Sequence, residues 1–273
     1  MDYPSYYQEL GFDQRLIDIS TASLRLPGYV FQPPRWTGFP PALLPLWFKE
    51  GAFFGYWRHW FCPERTTSLV EHVAEDSWYT LEVARSPDQL FARILLDGTG
   101  EKGMRDSDLK FAEEVGLSDL VEGIEDAYGR AYGDYHALLT LAPFTEVLAP
   151  LECFEYVGKE DYRGDWPWLG DPEIVSRGKS FCEYEVSDLP EQLEPLRQSL
   201  PPWFGKGDKQ PVFDALLAKS DFRGCWMCLN SIGWTYSAAK SSILRLAERV
   251  GDDGFGAFAE MWAGNYHEEY DEY

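Results

Sequence analysis

No run of about 18 apolar residues occurs anywhere in the chain, so no segment reads as a membrane-spanning helix. The opening residues Met1-Asp2-Tyr3-Pro4 lack the basic start and apolar stretch of a signal peptide. Cysteine is scarce and odd in number. The five, Cys62, Cys153, Cys182, Cys225 and Cys228, are scattered, which argues against a disulfide framework and fits reduced, buried thiols. These absences predict a cytoplasmic protein.

Positive charge is also short. Lys and Arg number 24 against 46 Asp and Glu, a net charge of −22 with neutral histidines. A field of that sign repels nucleic-acid phosphates and anionic lipid and attracts basic proteins. The expected partner is therefore a basic protein, with neither nucleic acid nor membrane. The imbalance is uneven: residues 1–100 and 201–273 each carry −4, and residues 101–200 carry −14 from 23 acids and 9 bases. Concentrated charge steers a partner better than the same charge spread evenly.

What the chain has in abundance is aromatic side chains, at 16%, including 11 Trp, 16 Tyr and 17 Phe. With 273 residues and 45% hydrophobic content it can bury a sizeable, ring-rich core. Neither an internal repeat nor a linker is evident, so the expectation is one domain over 1–273. Within it, the proline-rich stretch 26–45 is expected as an irregular lead-in packed on the surface, and 267–273 as an acidic tail.

Local signals come in mixed order. Thr66-Thr67-Ser68-Leu69-Val70 reads as a short strand, after a segment in which eight of fifteen residues are aromatic (47–61). Ser86-Pro87-Asp88-Gln89 is a capping box with proline at the first helical position. Asp106 or Ser107 starts a second helix, ended by Gly116, and Ser118 or Asp119 a third, running to about Tyr128. A fourth covers 135–141. Alternation over 152–157 and 180–186 predicts strands flanking an acidic loop at 162–172, with a helix over 189–200. Further on, Pro211 opens a helix, 224–229 is buried strand or helix, and Ala239, Ile243, Leu246 and Val250 line one helical face ended by Gly251. A last helix spans 255–263. Without sustained strand–helix alternation the prediction is α+β, with mixed helices and a small, mainly antiparallel sheet.

Catalytic motifs are approached but not completed. Gly98-Thr99-Gly100-Glu101-Lys102-Gly103 has the glycine spacing of a dinucleotide loop, yet a helical pattern precedes it where a strand is required. It reads as a polar turn between helices. Gly178-Lys179-Ser180 lacks the first glycine of a P-loop, because Glu173 stands there, and Leu229-Asn230-Ser231-Ile232-Gly233 lacks that of a nucleophile elbow. Cys225-Trp226-Met227-Cys228 is half a zinc site without a second half. Trp166, Trp168 and Trp203 near Asp161, Asp165 and Asp171 could suit a sugar, although the general abundance of acids weakens that pairing. No metal or cofactor is expected.

Two segments, Phe54-Gly55-Tyr56-Trp57-Arg58-His59-Trp60-Phe61 and Cys225-Trp226-Met227-Cys228-Leu229-Asn230-Ser231-Ile232-Gly233-Trp234, resemble blocks of bacterial toxin-immunity proteins of the SUKH family. That resemblance implies a cytoplasmic antitoxin that binds and blocks a toxin, often a nuclease. The expected partner-binding residues are Asp119, Glu122, Glu125, Asp126 and Asp134, within the acidic middle of the chain. The alternative is a hydrolase or transferase with a pocket near Arg58, His59 and Cys62. That cluster also reads as a packed aromatic motif whose Arg58 pairs with an acid.

Overall fold

The computed structural model describes residues 2–28, 39–49, 51–61, 67–73, 79–131, 134–147, 202–203, 208–231 and 233–264. Among them the architecture is α+β, a four-stranded antiparallel sheet with helices before and after it. The segments predicted at 152–157, 162–172, 180–186, 189–200 and 267–273 lie outside the described residues, as do Gly178-Lys179-Ser180 and the middle of the proline-rich stretch.

The sheet is a meander: β1 (Leu43–Lys49), β2 (Ala52–Trp57), β3 (Ser68–Val73) and β4 (Tyr79–Ala84), paired in sequence order. β1 is apolar at consecutive positions, not alternate ones, because both of its faces are covered. Pro45 lacks a ladder donor, and the register shifts between Pro45 and Trp47. Opposite it lies Gly55, where an added Cβ would sit 2.3 Å from the Leu44 carbonyl oxygen. No side chain fits there. Lys49 pairs with Ala52, and Gly51 holds the turn between them with φ at 84°.

The proline-rich lead-in is thus corrected at its C-terminal end. Leu26, Phe39, Ala42, Leu43 and Leu44 are buried, and the last three predicted lead-in residues belong to β1. Proline did not prevent a strand here because the bulge absorbs its missing donor. The Tyr7 hydroxyl, from α1 (Tyr3–Glu9), donates to the Pro45 carbonyl and ties the N-terminal helix to the strand. α2 (Gln14–Ser20) also packs against β1.

From β4 the chain enters α3 (Pro87–Gly98), capped by Ser86 as predicted, with residues 89–96 all buried. Gln89 contributes a further tie. Its Oε1 accepts the Arg85 N–H at 2.7 Å, and its Nε2 donates to the Pro143 and Val147 carbonyls at 2.9 and 3.1 Å. Around α3 pack α4 (Asp106–Glu114), α5 (Val121–Ala131), a 3-10 turn (Tyr135–Thr140) and α6 (Ala142–Glu146), and another 3-10 turn (Ser118–Leu120) lies against α4 and α5. The predicted third and fourth helices are therefore here, the first preceded by a 3-10 turn and the second 3-10 throughout.

The C-terminal helices are α7 (Lys209–Ala218), α8 (Phe222–Leu229), α9 (Tyr236–Val250) and α10 (Asp253–Gly264). Residues 224–229, left open between strand and helix, are helical, and α9 ends at Gly251 in the left-handed region. Asn230 joins this group to the sheet: its Oδ1 accepts the Ala42 N–H at 2.6 Å and its Nδ2 donates to the Trp226 carbonyl at 2.7 Å. Aromatic rings complete the seam, with Trp60 and Phe61 packed on Phe255 at 4.9 and 5.1 Å.

Candidate functional site

The acidic part of the described structure is built on α3. Phe111 of α4 meets Phe91 edge-to-face at 5.8 Å, and Ile124 and Ala127 of α5 are fully buried. Those contacts leave the opposite surfaces of α4 and α5 to solvent. From Asp97 to Glu146 there are twelve carboxylates and only four Lys or Arg, so this surface is strongly negative.

The five carboxylates expected to bind a partner divide into two groups. Asp119, on the 3-10 turn, and Glu122 and Asp126, on α5, are exposed and follow one another at about one-turn spacing, near 5 Å along the axis. None of the three carboxylates has an ion pair or side-chain hydrogen bond among the described residues. Arg130, one turn beyond Asp126, donates through Nε to the Asp126 carbonyl oxygen at 3.2 Å and leaves the carboxylate free.

Glu125 and Asp134 are already engaged. Glu125 Oε1 accepts the Met104 N–H at 2.8 Å and so holds the turn between α3 and α4. Asp134 accepts from the His136 N–H at 3.0 Å and lies 2.8 Å from its Nδ1, and these bonds hold its carboxyl below the usual range. Sequence counting could not separate these two from the rest, because a cap and a turn brace look like any other acid. Glu113 is an exposed carboxylate that the sequence reading did not single out, on the last turn of α4, whose helix packs against the turn carrying Asp119. Its signal was the apolar trio Phe111, Ala112 and Val115, which turns Glu113 outward.

The described thiols and hydroxyl of these motifs are withdrawn from solvent. Cys225 and Cys228 are fully buried on α8, and burial pushes both thiols up to about 12. Ser231, the centre of the elbow-like motif, is buried, and its hydroxyl donates to the Cys228 carbonyl at 2.7 Å. Gly98 to Gly103 is the predicted turn between helices, closed by a bridge between Gly100 and Gly103. Trp203 is buried, while Trp166, Trp168, Asp161, Asp165 and Asp171 lie outside the described residues. Among the described residues no three His, Cys, Asp or Glu side chains gather as a metal site. No described helix is long and apolar enough to cross a membrane.

The Arg58, His59 and Cys62 cluster is not assembled as a solvent-facing centre by the described residues. His59 is buried, and Cys62 lies outside the described part. Arg58 departs from the sequence reading: among the described residues it has no ion pair, and its guanidinium stacks on the Trp60 ring with Cζ 3.9 Å from the centroid. Its aromatic neighbour claimed it before any acid did. No protein-family model, no curated protein and no solved structure matches this chain.

Proposed function

We propose that the protein is a non-catalytic, cytoplasmic binding protein of the immunity type, which neutralises a cognate bacterial toxin by covering it. The toxin would be a basic protein, such as a nuclease. The observation that carries this reading is the row of exposed carboxylates, Asp119, Glu122 and Asp126, none of which has a protein partner within the described structure. Glu122 and Asp126 repel one another across one turn, at a cost of a few tenths of a kcal/mol. A cationic surface would turn that repulsion into attraction, and carboxylates in a row can occupy the places of phosphates in a nuclease groove. The SUKH-like blocks support the same reading.

The alternative, a hydrolase or transferase using Arg58, His59 and Cys62, is weakened by the burial of His59. The test is capture from the source cell on immobilised wild-type protein and on a triple variant, Asp119→Lys, Glu122→Lys and Asp126→Lys, with salt elution and mass spectrometry. A basic protein held by the wild type, released by salt and lost from the variant is the expected result. Equal retention by both baits would remove this face from the account.

A further inference from the structure

Among the described residues four arginines are buried or half-buried: Arg15, Arg58, Arg85 and Arg93. Arg15 pairs with Asp13 and Asp88, Arg85 with Glu82 and Arg93 with Glu71. Among the described residues Arg58 alone of the four has no carboxylate in contact. Its main-chain N–H is fixed to the Ala42 carbonyl at 2.9 Å, and one face of its guanidinium is covered by Trp60. Stacking uses the face of the guanidinium and leaves the hydrogen-bonding edge unused. Burial is the main influence on Arg58 and lowers its pKa, so the cation is partly desolvated.

A second, independent observation lies beside it. The Tyr6 hydroxyl is buried without a hydrogen-bond partner, on a residue only 3% exposed. Tyr6 and Trp60 pack on the same ring, Phe258, at 5.9 and 5.2 Å, and Tyr6 and Arg58 act on one another electrostatically. Asp252 also acts on Arg58 through space, but its Oδ1 accepts the Phe255 N–H at 2.7 Å and makes no ion pair with the guanidinium. Natural folds seldom bury polar donors without acceptors.

We infer that Arg58 and Tyr6, with the Trp60 and Phe258 rings, form a binding site for a carboxylate. A planar carboxylate matches the guanidinium edge with two parallel hydrogen bonds, and the Tyr6 hydroxyl supplies a further donor. The partly exposed Trp60 ring, backed by Phe258, accepts an apolar body attached to the acid. A monoanion is preferred to a phosphate dianion, because the net charge of −22 and nearby Asp252 penalise each added negative charge. The carboxylate belongs either to a small organic acid or to a peptide C-terminus. The site stands apart from the proposed docking face, since none of its residues is one of those carboxylates.

The test follows the Arg58 Nε–Hε resonance of the 15N-labelled full chain, assigned by its loss in Arg58→Lys. The probes are benzoate, inorganic phosphate, and a short peptide with either a free or an amidated C-terminus. A saturable shift is expected with benzoate and with the free peptide, roughly tenfold tighter than with phosphate, and none with the amide. Tighter binding of the free peptide than of benzoate assigns the site to a peptide C-terminus, and the reverse order to a small acid. By calorimetry Arg58→Lys is expected to weaken binding roughly tenfold, because lysine keeps the charge and loses the fork. Asp252→Asn, which preserves the cap, is expected to tighten binding. No saturable shift with either carboxylate, or equal affinity in Arg58→Lys, would overturn the site.

Discussion

Arg130 reaches back one turn to Asp126 and bonds its carbonyl oxygen at 3.2 Å, not its carboxylate. An acid and a base four residues apart on a helix ordinarily neutralise each other's charge. Here the helix end is served and the acid stays available. Next to it, Glu125 is bound to the Met104 N–H. Two adjacent carboxylates on one helix therefore have opposite roles.

Substitution separates them. Asp126→Ala is expected to leave the protein as stable or about 0.5 kcal/mol more stable, since it removes repulsion and adds a better helix former. Glu125→Ala is expected to cost about 1–2 kcal/mol, because it leaves a half-buried N–H unpaired. Urea denaturation of the two variants measures the contrast.

Arg15 fastens three helices. Its guanidinium contacts Asp13 and Asp88 at 2.7 and 2.8 Å, donates to the Val115 carbonyl at 2.6 Å, and lies 4.9 Å from the Phe91 ring centroid. Its partial exposure screens the ion pairs, so Arg15→Met is expected to cost about 1–2 kcal/mol, not the larger loss of a sealed pair. The same denaturation experiment reads it.

His72 sets a pH limit. It is fully buried in β3, and burial depresses its pKa to about 3 from 6.5. The unfolded chain therefore takes up a proton below pH 6.5 that the folded chain refuses until about pH 3. Stability is retained above 6.5 and falls on acidification, by up to about 1.4 kcal/mol per pH unit from this group. Between pH 6 and 5 the carboxylates with lowered pKa, such as Asp13, contribute little, so the slope there isolates histidine. The NMR signal of the His72 ring is expected to stay unshifted down to about pH 4.

Thiol labelling checks the α8 core. Cys225 and Cys228, pushed up to about 12, are expected to react with a disulfide reagent at pH 8 only after unfolding, as peptide mapping by mass spectrometry would show.

Local signals in the sequence placed several elements well. Ser86-Pro87 opens α3, Gly251 ends α9, and the apolar set Ala239, Ile243 and Leu246 faces the core. Those features act within one or two turns, so they are visible without the fold. β1 was hidden because burial on both faces removes the alternation that marks a strand, and Pro45 argued against one. The site was half legible: charge counting found the acidic region and named five of its carboxylates, of which Asp119, Glu122 and Asp126 are exposed in a row. It could not find that Glu125 and Asp134 are engaged by backbone donors 21 and 2 residues away, nor that Arg58 stacks on Trp60. Those facts depend on which side chain arrives first in three dimensions.

The most direct measurement is quantitative capture on the wild-type protein and the Asp119→Lys, Glu122→Lys, Asp126→Lys variant, at low and high salt. The account predicts one basic protein, stoichiometric on the wild type, released by salt and absent from the variant. The same protein held equally by both, indifferent to salt, would contradict it.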